Sequence, residues 1–488
     1  MNDDRARDQR RSLVQAWSRA QLTIEGLWSR YFALGGQAGL MDVDAYLNGL
    51  GELPPLQRDV LAQAVNERLD ELAGAHRAAY SRPIRQRLPA SPPLAALVEL
   101  LDRVVLAPPD RMAEIAAAAG KALGVAVTLF LIDYDQRTLH PVPHADGSTE
   151  RVSLDVDTTL AGRAFRHVQT LPADTAQPPC LWVPLLDGVE RLGVMAVEVT
   201  DPDDLYDPGL RAHCRWVAML VGHLLIALNP HGDALDRVRL TRPRQPSAEL
   251  VFSLLPSLTA GVDSFVVTGM LEPCERVSGD AFDYALSEST AHLIMLDALG
   301  HDLSSGLIAA AAVSAHRSAR RAGNDLAEQA HRIDQTLREH FATATFATGV
   351  LVEIDLPTGR LRYVNAGHPQ PLIMRDGKIV KPLAGALCLP LGLGPLDVMI
   401  AEETLEPDDW LILYTDGITE ARDATGEFFG EERLVDFLRR EAAAGYPPPE
   451  TARRLIQAVL QHQQGVLQDD AAIVLARWTS PGHLDPER

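Results

Sequence analysis

The sequence predicts a multi-domain α+β protein, with an N-terminal helical region, a central α/β domain and a C-terminal region of alternating strands and helices. The first supporting observation is length, because 488 residues at about 150 residues per domain correspond to about three domains. The second is periodicity. Apolar residues near the N-terminus recur at helical spacing, whereas later segments alternate strand-like runs with helical patterns.

The composition argues against several functional classes. A formal net charge of −21 disfavours nucleic-acid binding, which needs a basic surface, and docking on anionic membranes. The four cysteines are scattered without a CxxC pair, so neither a disulfide framework nor a zinc ribbon is predicted. The N-terminus lacks the apolar stretch of a signal peptide, and the apolar run at 217–228 is too short for a membrane-spanning helix. We therefore expect a cytoplasmic protein.

Residues 1–85 are predicted to form a helical N-terminal region without visible chemistry. After the prolines at 54–55, apolar side chains follow helical spacing at Leu56, Val60, Leu61, Val65, Leu69 and Leu72. The expected structure is a small helical domain or a dimerisation hairpin. The proline-rich stretch 81–93 is the predicted linker to the next domain.

Residues 94–228 are predicted to form the central domain. Two helical patterns precede a strand at 126–135, and two further strand-like runs flank the turn dipeptide Asp187-Gly188. A long apolar helix ends the segment. This order of elements resembles a GAF domain. The resemblance implies a module that binds an unidentified small molecule, often as a homodimer.

The ligand of this central domain cannot be identified from the residues. His144, His167 and Cys180 are conceivable attachment points for a haem or another chromophore, although such isolated residues are more often ordinary loop or core residues. Residues 229–258 are expected to form a helical connector to the last domain, with a short helix near 249–258.

Acidic residues recur at strand ends in the C-terminal domain, predicted for residues 259–480. The run LIML leads into Asp297, and Asp280, Asp416 and Asp469-Asp470 also lie beside small or turn-forming residues. Converging carboxylates repel each other, so they protonate or bind a cation. Oxygen donors without a Cys or His cluster suit Mg²⁺ or Mn²⁺, and four or five carboxylates suit two ions. Each aspartate alone would more often be structural, because aspartate is common in turns.

The same region resembles the PPM-type metal-dependent protein phosphatases, in the bacterial branch similar to stage II sporulation protein E. The matching motifs occur in the family's order: CERVSGDAFDY (274–284), LIMLDALGHDLSSGLIAA (293–310), YVNAGHPQPLI (363–373), LILYTDGITEARD (411–423) and QDDAAIVLAR (468–477). The resemblance implies an α-β-β-α sandwich with two Mn²⁺ or Mg²⁺ ions. The metal ligands and catalytic residues that it implies are Asp280, Asp297, the carbonyl of Ala298, Asp416 and Asp469, with Asp470 as the alternative to Asp469.

The resemblance also implies an activity, which is hydrolysis of phosphoserine or phosphothreonine on a protein by water that the metals activate. The expected substrate is a phosphorylated anti-sigma-factor antagonist of STAS type, and the expected regulator is the central sensor domain. Arg276 is a candidate phosphate contact and His301 a candidate general acid. Asn365 and His368 are expected to shape their loop.

Several positions depart from the family pattern: Ser278, Ala298, Asp302 and the Ala471-Ala472 pair. These departures bear on rate and metal affinity rather than on the fold. Alanine at 298 is expected to be tolerated if its φ is negative. One alternative function is a catalytically weak or inactive phosphatase fold that senses a ligand and holds a partner, although retention of every candidate metal ligand argues against it. A two-metal nucleotidyl cyclase is a third possibility, without supporting purine-binding or phosphate-binding motifs.

Overall fold

The computed structural model describes residues 2–72, 91–146, 151–241, 244–274, 279–300, 303–341 and 345–479. Contacts divide the chain into two compact units, Met1–Pro89 and Ala90–Arg488. Most of the predicted linker lies outside the described residues, as do Arg276, Ser278, His301 and Asp302.

The described part of the first unit is helical, as predicted. Its helices are α1 (Asn2–Arg19), α2 (Ile24–Ala33), α3 (Leu40–Leu47) and α4 (Pro55–Glu71). The last of these begins at a proline, which suits a first helical position because its missing N–H has no partner there. One apolar core joins the helices through Leu13, Leu27, Tyr31, Val43, Leu61 and Val65.

The second unit begins with an antiparallel sheet and its helices. The strands are β1 (Ala126–Ile132), β2 (Thr138–Pro141), β3 (Leu154–Asp155), β4 (Leu171–Ala173), β5 (Cys180–Asp187) and β6 (Glu190–Glu198), in the spatial order β3-β2-β1-β6-β5-β4. The helices are α5 (Pro92–Val104), α6 (Met112–Leu123), α7 (Leu160–His167) and α8 (Pro208–Leu228). The predicted hairpin is confirmed, since β5 and β6 pair around Gly188, whose φ is +60°.

The sheet buries apolar residues on both faces. Helices α5, α6 and α8 cover one core, and α7 covers a smaller one that includes Phe130, Phe165 and Val194. Among the described helices, the one spanning Pro208–His231 is long and apolar enough to cross a membrane by length and composition, and 39% of its apolar window is buried in the molecule. The expectation that the apolar run at 217–228 is too short to span a membrane was therefore wrong as a statement of length, because the helix that contains this run begins at Pro208. A Cβ on Gly222 would lie 1.9 Å from the carbonyl oxygen of Leu186, so α8 packs tightly on the sheet.

Short helices connect this sheet to the rest of the unit. They are α9 (Ala234–Arg239) and α10 (Pro246–Leu254), and a 3₁₀ turn at Asn229–His231 directly precedes α9. Two further 3₁₀ turns, at Pro109–Arg111 and Pro202–Tyr206, lie earlier in the unit. Within 229–258, the described residues thus contain a 3₁₀ turn and two short helices.

The C-terminal part contains two further sheets. Their strands are β7 (Thr259–Val262), β8 (Phe265–Glu272), β9 (Asp280–Leu286), β10 (Thr290–Ala298), β11 (Ala347–Asp355), β12 (Arg360–Ala366), β13 (Leu372–Arg375), β14 (Lys378–Pro382), β15 (Leu387–Cys388), β16 (Ala401–Thr404), β17 (Trp410–Tyr414) and β18 (Ala471–Trp478). The first sheet has the order β15-β12-β11-β10-β9, with β16 also on β12, and the second has the order β14-β13-β17-β18-β8-β7.

Helices cover the outer faces of both sheets. They are α11 (Leu303–Arg321), α12 (Leu326–His340), α13 (Asp416–Thr419), α14 (Gly430–Ala443) and α15 (Pro448–His462). Helices α11 and α12 pack on the first sheet, while α14 and α15 pack on the second. The α-β-β-α layering expected for this region is therefore present. The sequence spacing of Asp325 and Glu328 is typical of a capping box, and the structure contains it: the Asp325 carboxylate accepts from the Glu328 N–H, and the Asp325 N–H donates to the Glu328 carboxylate.

Candidate functional site

Two of the predicted carboxylates lie side by side in the first sheet. Asp297, near the end of β10, is directly opposite Asp280, the first residue of β9. Directly opposite residues of an antiparallel pair point to the same face of the sheet, with Cβ atoms about 5 Å apart. The strand pairing therefore brings Asp280 and Asp297 to one end of the sandwich.

The second sheet meets this pair through Thr415. The Thr415 hydroxyl donates to Asp280 Oδ2 at 2.7 Å and accepts from the backbone N–H of Ala472 at 3.0 Å. Thr415 is fully buried and follows the last residue of β17. One side chain thus joins β9 in the first sheet to β17 and β18 in the second. The sequence prediction missed Thr415, although it lies in the YTDG motif next to Asp416.

Asp416 lies in a different local structure from the one predicted. The strand β17 ends at Tyr414, and Asp416 is the first residue of the short helix α13 rather than a strand end. A Cβ on the next residue, Gly417, would lie 1.9 Å from the carbonyl oxygen of Asp470. Glycine therefore lets the first turn of α13 approach the 469–470 backbone, which brings Asp416 close to Asp469.

The neighbouring acids Asp469 and Asp470 have different surroundings. The Asp470 side chain is 4% exposed, and its carboxylate accepts from the backbone N–H groups of Cys274 at 2.8 Å and Gly279 at 2.7 Å. The Asp469 side chain is exposed, and its Oδ1 accepts from the N–H of Asp470 at 2.9 Å. Asp470 therefore holds the ends of the 274–279 segment, while Asp469 faces outward.

A glycine also brings Ala298 close to the first motif. The N–H of Ala298 donates to the carbonyl of Gly279 at 3.0 Å. A Cβ on Gly279 would lie 2.6 Å from the carbonyl oxygen of Ala298 and 2.9 Å from that of Gly300. Gly300 has a φ of +95°, whereas Ala298 is not among the residues with positive φ. Alanine is therefore tolerated at 298, as expected.

The clustered carboxylates raise one another's pKa values. Burial and the negative charges of Asp416 and Asp469 raise the pKa of Asp297 to about 7. Burial and the nearby Asp297 raise the pKa of Asp280, and burial and Asp469 raise that of Asp416. Each carboxylate is costly to ionise beside the others, and a bound cation would reverse that cost.

The donor chemistry of this cluster fits a hard divalent cation. The side-chain donors are all carboxylate oxygens, which Mg²⁺ and Mn²⁺ prefer. Within the described residues, no group of three or more His, Cys, Asp or Glu side chains is already arranged to hold a metal ion. The four carboxylates interact through their charges at the same end of the sandwich.

The NAGHP loop is held by its own hydrogen bonds. The Asn365 amide donates to the His368 carbonyl at 3.0 Å and accepts from the His368 N–H at 2.8 Å. His368 Nδ1 lies 2.8 Å from the hydroxyl of Thr348, which is opposite Asp297 on β11. Burial lowers the pKa of His368 to about 3. Both residues therefore shape the loop, as predicted, and Thr348 is a neighbour that the sequence prediction missed.

The residues considered for chromophore attachment lie in separate elements. His144 follows β2, and its Nδ1 lies 3.7 Å from Glu114 Oε1. His167 is the last residue of α7 and lies beside the Tyr446 ring. Cys180 begins β5, and burial raises the pKa of its thiol to about 11. These contacts are those of ordinary surface and core residues.

Residues 287–479 match the family model described as "Stage II sporulation protein E (SpoIIE)". Among curated proteins, the chain is 27% identical over 221 residues to "Phosphoserine phosphatase RsbP" of Bacillus subtilis. The matched region covers 44% of this chain and 52% of that protein. The chain is 26% identical over 277 residues to "Protein IcfG" of Synechocystis sp., covering 50% and 42% respectively. The chain thus spans about half the length of these curated relatives.

Among solved structures, the "SiaA-PP2C domain of Pseudomonas aeruginosa" is similar with 27% identity and a TM-score of 0.40, covering 43% of this chain and 85% of that chain. The family match at residues 287–479 includes Asp297, Asp416 and Asp469. The C-terminal part of this chain is therefore similar to the SpoIIE family over residues that include three of the candidate metal ligands.

Proposed function

We propose that this protein is a metal-dependent protein serine/threonine phosphatase. The observation that carries the proposal is the proximity of Asp280, Asp297, Asp416 and Asp469 at one end of the two-sheet sandwich, where burial and the neighbouring carboxylates raise the pKa values of Asp280, Asp297 and Asp416. A site with this much negative charge suits two divalent cations and a phosphate ester rather than an uncharged substrate.

The proposed metal ligands are Asp280, Asp297, the carbonyl of Ala298, Asp416 and Asp469, and the proposed ions are Mn²⁺ or Mg²⁺. Support for Asp469 over Asp470 comes from hydrogen bonding, because the Asp470 carboxylate already accepts from two backbone N–H groups. When bound, the ions would supply acidified water as the nucleophile and positive charge for the phosphoryl oxygens.

The protein itself positions these ligands. Thr415 orients Asp280 from the other sheet, and Asp470 holds the ends of the 274–279 segment that precedes Asp280. His368 stays neutral at physiological pH because burial lowers its pKa to about 3. Its role is therefore to support the loop beside Thr348 rather than to transfer a proton.

The proposed substrate is a phosphorylated protein, and the proposed class is an anti-sigma-factor antagonist of STAS type. Support comes from the sequence resemblance and from relatives whose names include "Phosphoserine phosphatase". Phosphoproteomics of a deletion strain tests the substrate class. Accumulation of a phosphoserine or phosphothreonine form of one small regulatory protein is the expected result.

The proposed sensor is the GAF-like segment 94–228, which would bind a small molecule and form a homodimer. Support for the dimer comes from exposed apolar side chains at its first and last helices: Leu101 on α5, Val105 directly after α5, and Trp216 and Met219 on α8. Sedimentation of the full chain tests this. A cytoplasmic location also stays a proposal, and the free thiols of the four cysteines are consistent with it.

Hydrolysis of p-nitrophenyl phosphate after EDTA treatment tests the enzymatic proposal. We expect activity to return with Mn²⁺ and to fall at least about a hundredfold in Asp297→Asn and Asp416→Asn, because cation stabilisation of the transition state is worth several kcal/mol. Asp376→Asn is the matched control, since Asp376 is exposed with a φ of +49°, which asparagine tolerates. A wild-type protein inactive with both metals, on this ester and on a phosphoserine protein, would favour the non-catalytic binding module instead.

A further inference from the structure

A buried ion pair lies on α15, far along the chain from the proposed metal ligands at 280 and 297. Arg453 is 1% exposed and Glu450 is fully buried. The guanidinium binds this carboxylate with two hydrogen bonds, Nε to Oε2 at 2.9 Å and Nη2 to Oε1 at 2.8 Å. Neither residue contributes to the carboxylate cluster, so the phosphatase proposal leaves this pair unexplained.

Both members of the pair also bind the central segment. Arg453 donates to Asp157 at 2.6 Å and 3.3 Å and to the carbonyl of Gln136 at 3.3 Å. Glu450 accepts from Arg191 Nη1 at 3.2 Å. The four side chains balance two positive and two negative charges. Arg453, Glu450 and Arg191 are buried, whereas the Asp157 side chain is 48% exposed. Such a network adds little net stability relative to apolar packing, but it fixes the position of α15 against the central segment because each buried charge needs its partner.

The central partners belong to the region around α7. Asp157 lies in the turn between β3 and α7, where the Asp155 carboxylate accepts from the N–H groups of Asp157 and Thr158. The Arg191 guanidinium lies 4.6 Å from the centre of the Phe165 ring, and Phe165 is a core residue of α7. A shift of α7 on its sheet would therefore change both contacts with α15.

The other end of α15 leads directly to the metal-ligand candidates. The helix ends at His462, and the segment 463–468 connects it to Asp469. Hydrogen bonds hold this segment, since Gln463 accepts from Gln468 N at 3.2 Å and the Leu467 carbonyl accepts from the Cys274 thiol at 2.9 Å. A helix of 15 residues is about 22 Å long and stiff, so displacement of its first turn is transmitted to its end.

We propose that the contact between Asp157 and Arg453 is the route by which the central segment sets the position of Asp469. This inference rests on the proposed function, because it assigns a regulatory route to the same site. It differs from transmission through the 229–258 connector, since α15 lies outside the connector and bears on Asp469 itself. Asp157 and Arg453 are positioning residues that act through α15.

The test uses the full chain and the variant Asp157→Asn, which removes one charge and leaves the Arg453–Glu450 pair. We expect faster backbone hydrogen exchange in residues 463–470 and Mn²⁺ binding, measured by calorimetry, that is weaker by at least about fivefold, a typical coupling between sites. Asp157→Glu restores the carboxylate and should recover part of both properties.

The matched control is Asp408→Asn, because Asp408 is also an exposed aspartate that pairs with an arginine, Arg477, at 2.7 Å, and both residues lie outside α15 and the segment 463–470. Its φ of +72° suits asparagine. This control should leave exchange in 463–470 and Mn²⁺ binding unchanged. Unchanged exchange in 463–470 in Asp157→Asn, or tighter Mn²⁺ binding, would overturn the inference. A wild-type chain that binds Mn²⁺ without hydrolysing phosphoserine contradicts the proposed function alone, and the exchange result still decides this inference.

Discussion

The Thr415 hydroxyl donates a hydrogen bond of 2.7 Å to the Asp280 carboxylate, and this bond joins the two sheets of the C-terminal sandwich. Asp280 lies opposite Asp297 on the first sheet, whereas Thr415 connects to the second sheet through Ala472. A buried side-chain bond therefore sets the distance between carboxylates that the chain contributes from different sheets.

Replacing Thr415 with valine removes this bond without changing the volume of the side chain much. We expect a loss of about 1–3 kcal/mol in the free energy of unfolding, because the Asp280 carboxylate loses the Thr415 donor and the Ala472 N–H loses the Thr415 acceptor. The hydrolysis that depends on Mn²⁺ should also become weaker in this variant. Thr415→Ser keeps the hydroxyl and is the control. Equal stability of the valine variant in urea unfolding would show that the bond does not hold the sheets together.

The adjacent acids Asp469 and Asp470 should respond differently to the same change. Asp470→Asn should lower the free energy of unfolding by roughly 1.5–3 kcal/mol, since its carboxylate accepts from two backbone N–H groups and an amide has one acceptor oxygen. Asp469→Asn should abolish Mn²⁺-dependent hydrolysis while leaving the metal-free protein as stable as before or more so, because it relieves repulsion among carboxylates. Urea unfolding and the hydrolysis assay distinguish the two, and the reverse pattern would identify Asp470 as the ligand.

Gly279→Ala should disrupt the site through its backbone. The added Cβ would lie 2.6 Å from the Ala298 carbonyl oxygen, and backbone at that distance has to shift. We expect Mn²⁺ affinity to fall at least about tenfold, since loss of one well-placed contact costs over 1 kcal/mol. Gly394→Ala is the control, because its added Cβ meets nothing within 4 Å. Normal Mn²⁺ binding in the folded Gly279→Ala variant would exclude the Ala298 carbonyl as a ligand.

Glu190→Gln should change how stability depends on pH. Glu190 accepts from the N–H of Thr259 at 2.5 Å, and burial raises its pKa from 4.5 to about 7. The unfolded chain therefore loses this proton at lower pH than the folded one, so wild-type stability falls as pH rises from about 4.5 to 7.

The glutamine variant lacks this titration and keeps the acceptor oxygen. It should match the wild type at pH 4 and exceed it at pH 8 by up to roughly 3 kcal/mol, which is the free energy between a pKa of 4.5 and about 7. Urea unfolding across this pH range measures the difference. A constant difference between the two proteins would show that Glu190 does not titrate in this range.

Local sequence patterns predicted most individual elements of the fold. Apolar periodicity and turn residues predicted the β5–β6 hairpin around Gly188 and the capping box at Asp325, and the structure contains both. These features depend on residues close together in the chain. The pattern was wrong for Asp416, where the buried strand was expected to end. The strand β17 ends at Tyr414, and a short helix begins at Asp416, where Gly417 lies close to the Asp470 backbone.

The sequence by itself determined which residues are the candidate metal ligands, because aspartates beside small residues recur in motifs with a fixed order. The tertiary structure alone decided how they work together: Thr415 bonds to Asp280, Asp470 rather than Asp469 holds the 274–279 segment, and Arg453 reaches Asp157. The physical reason is that each of these bonds joins residues over a hundred positions apart. Their partners are set by the packing of sheets and helices, which no local pattern records.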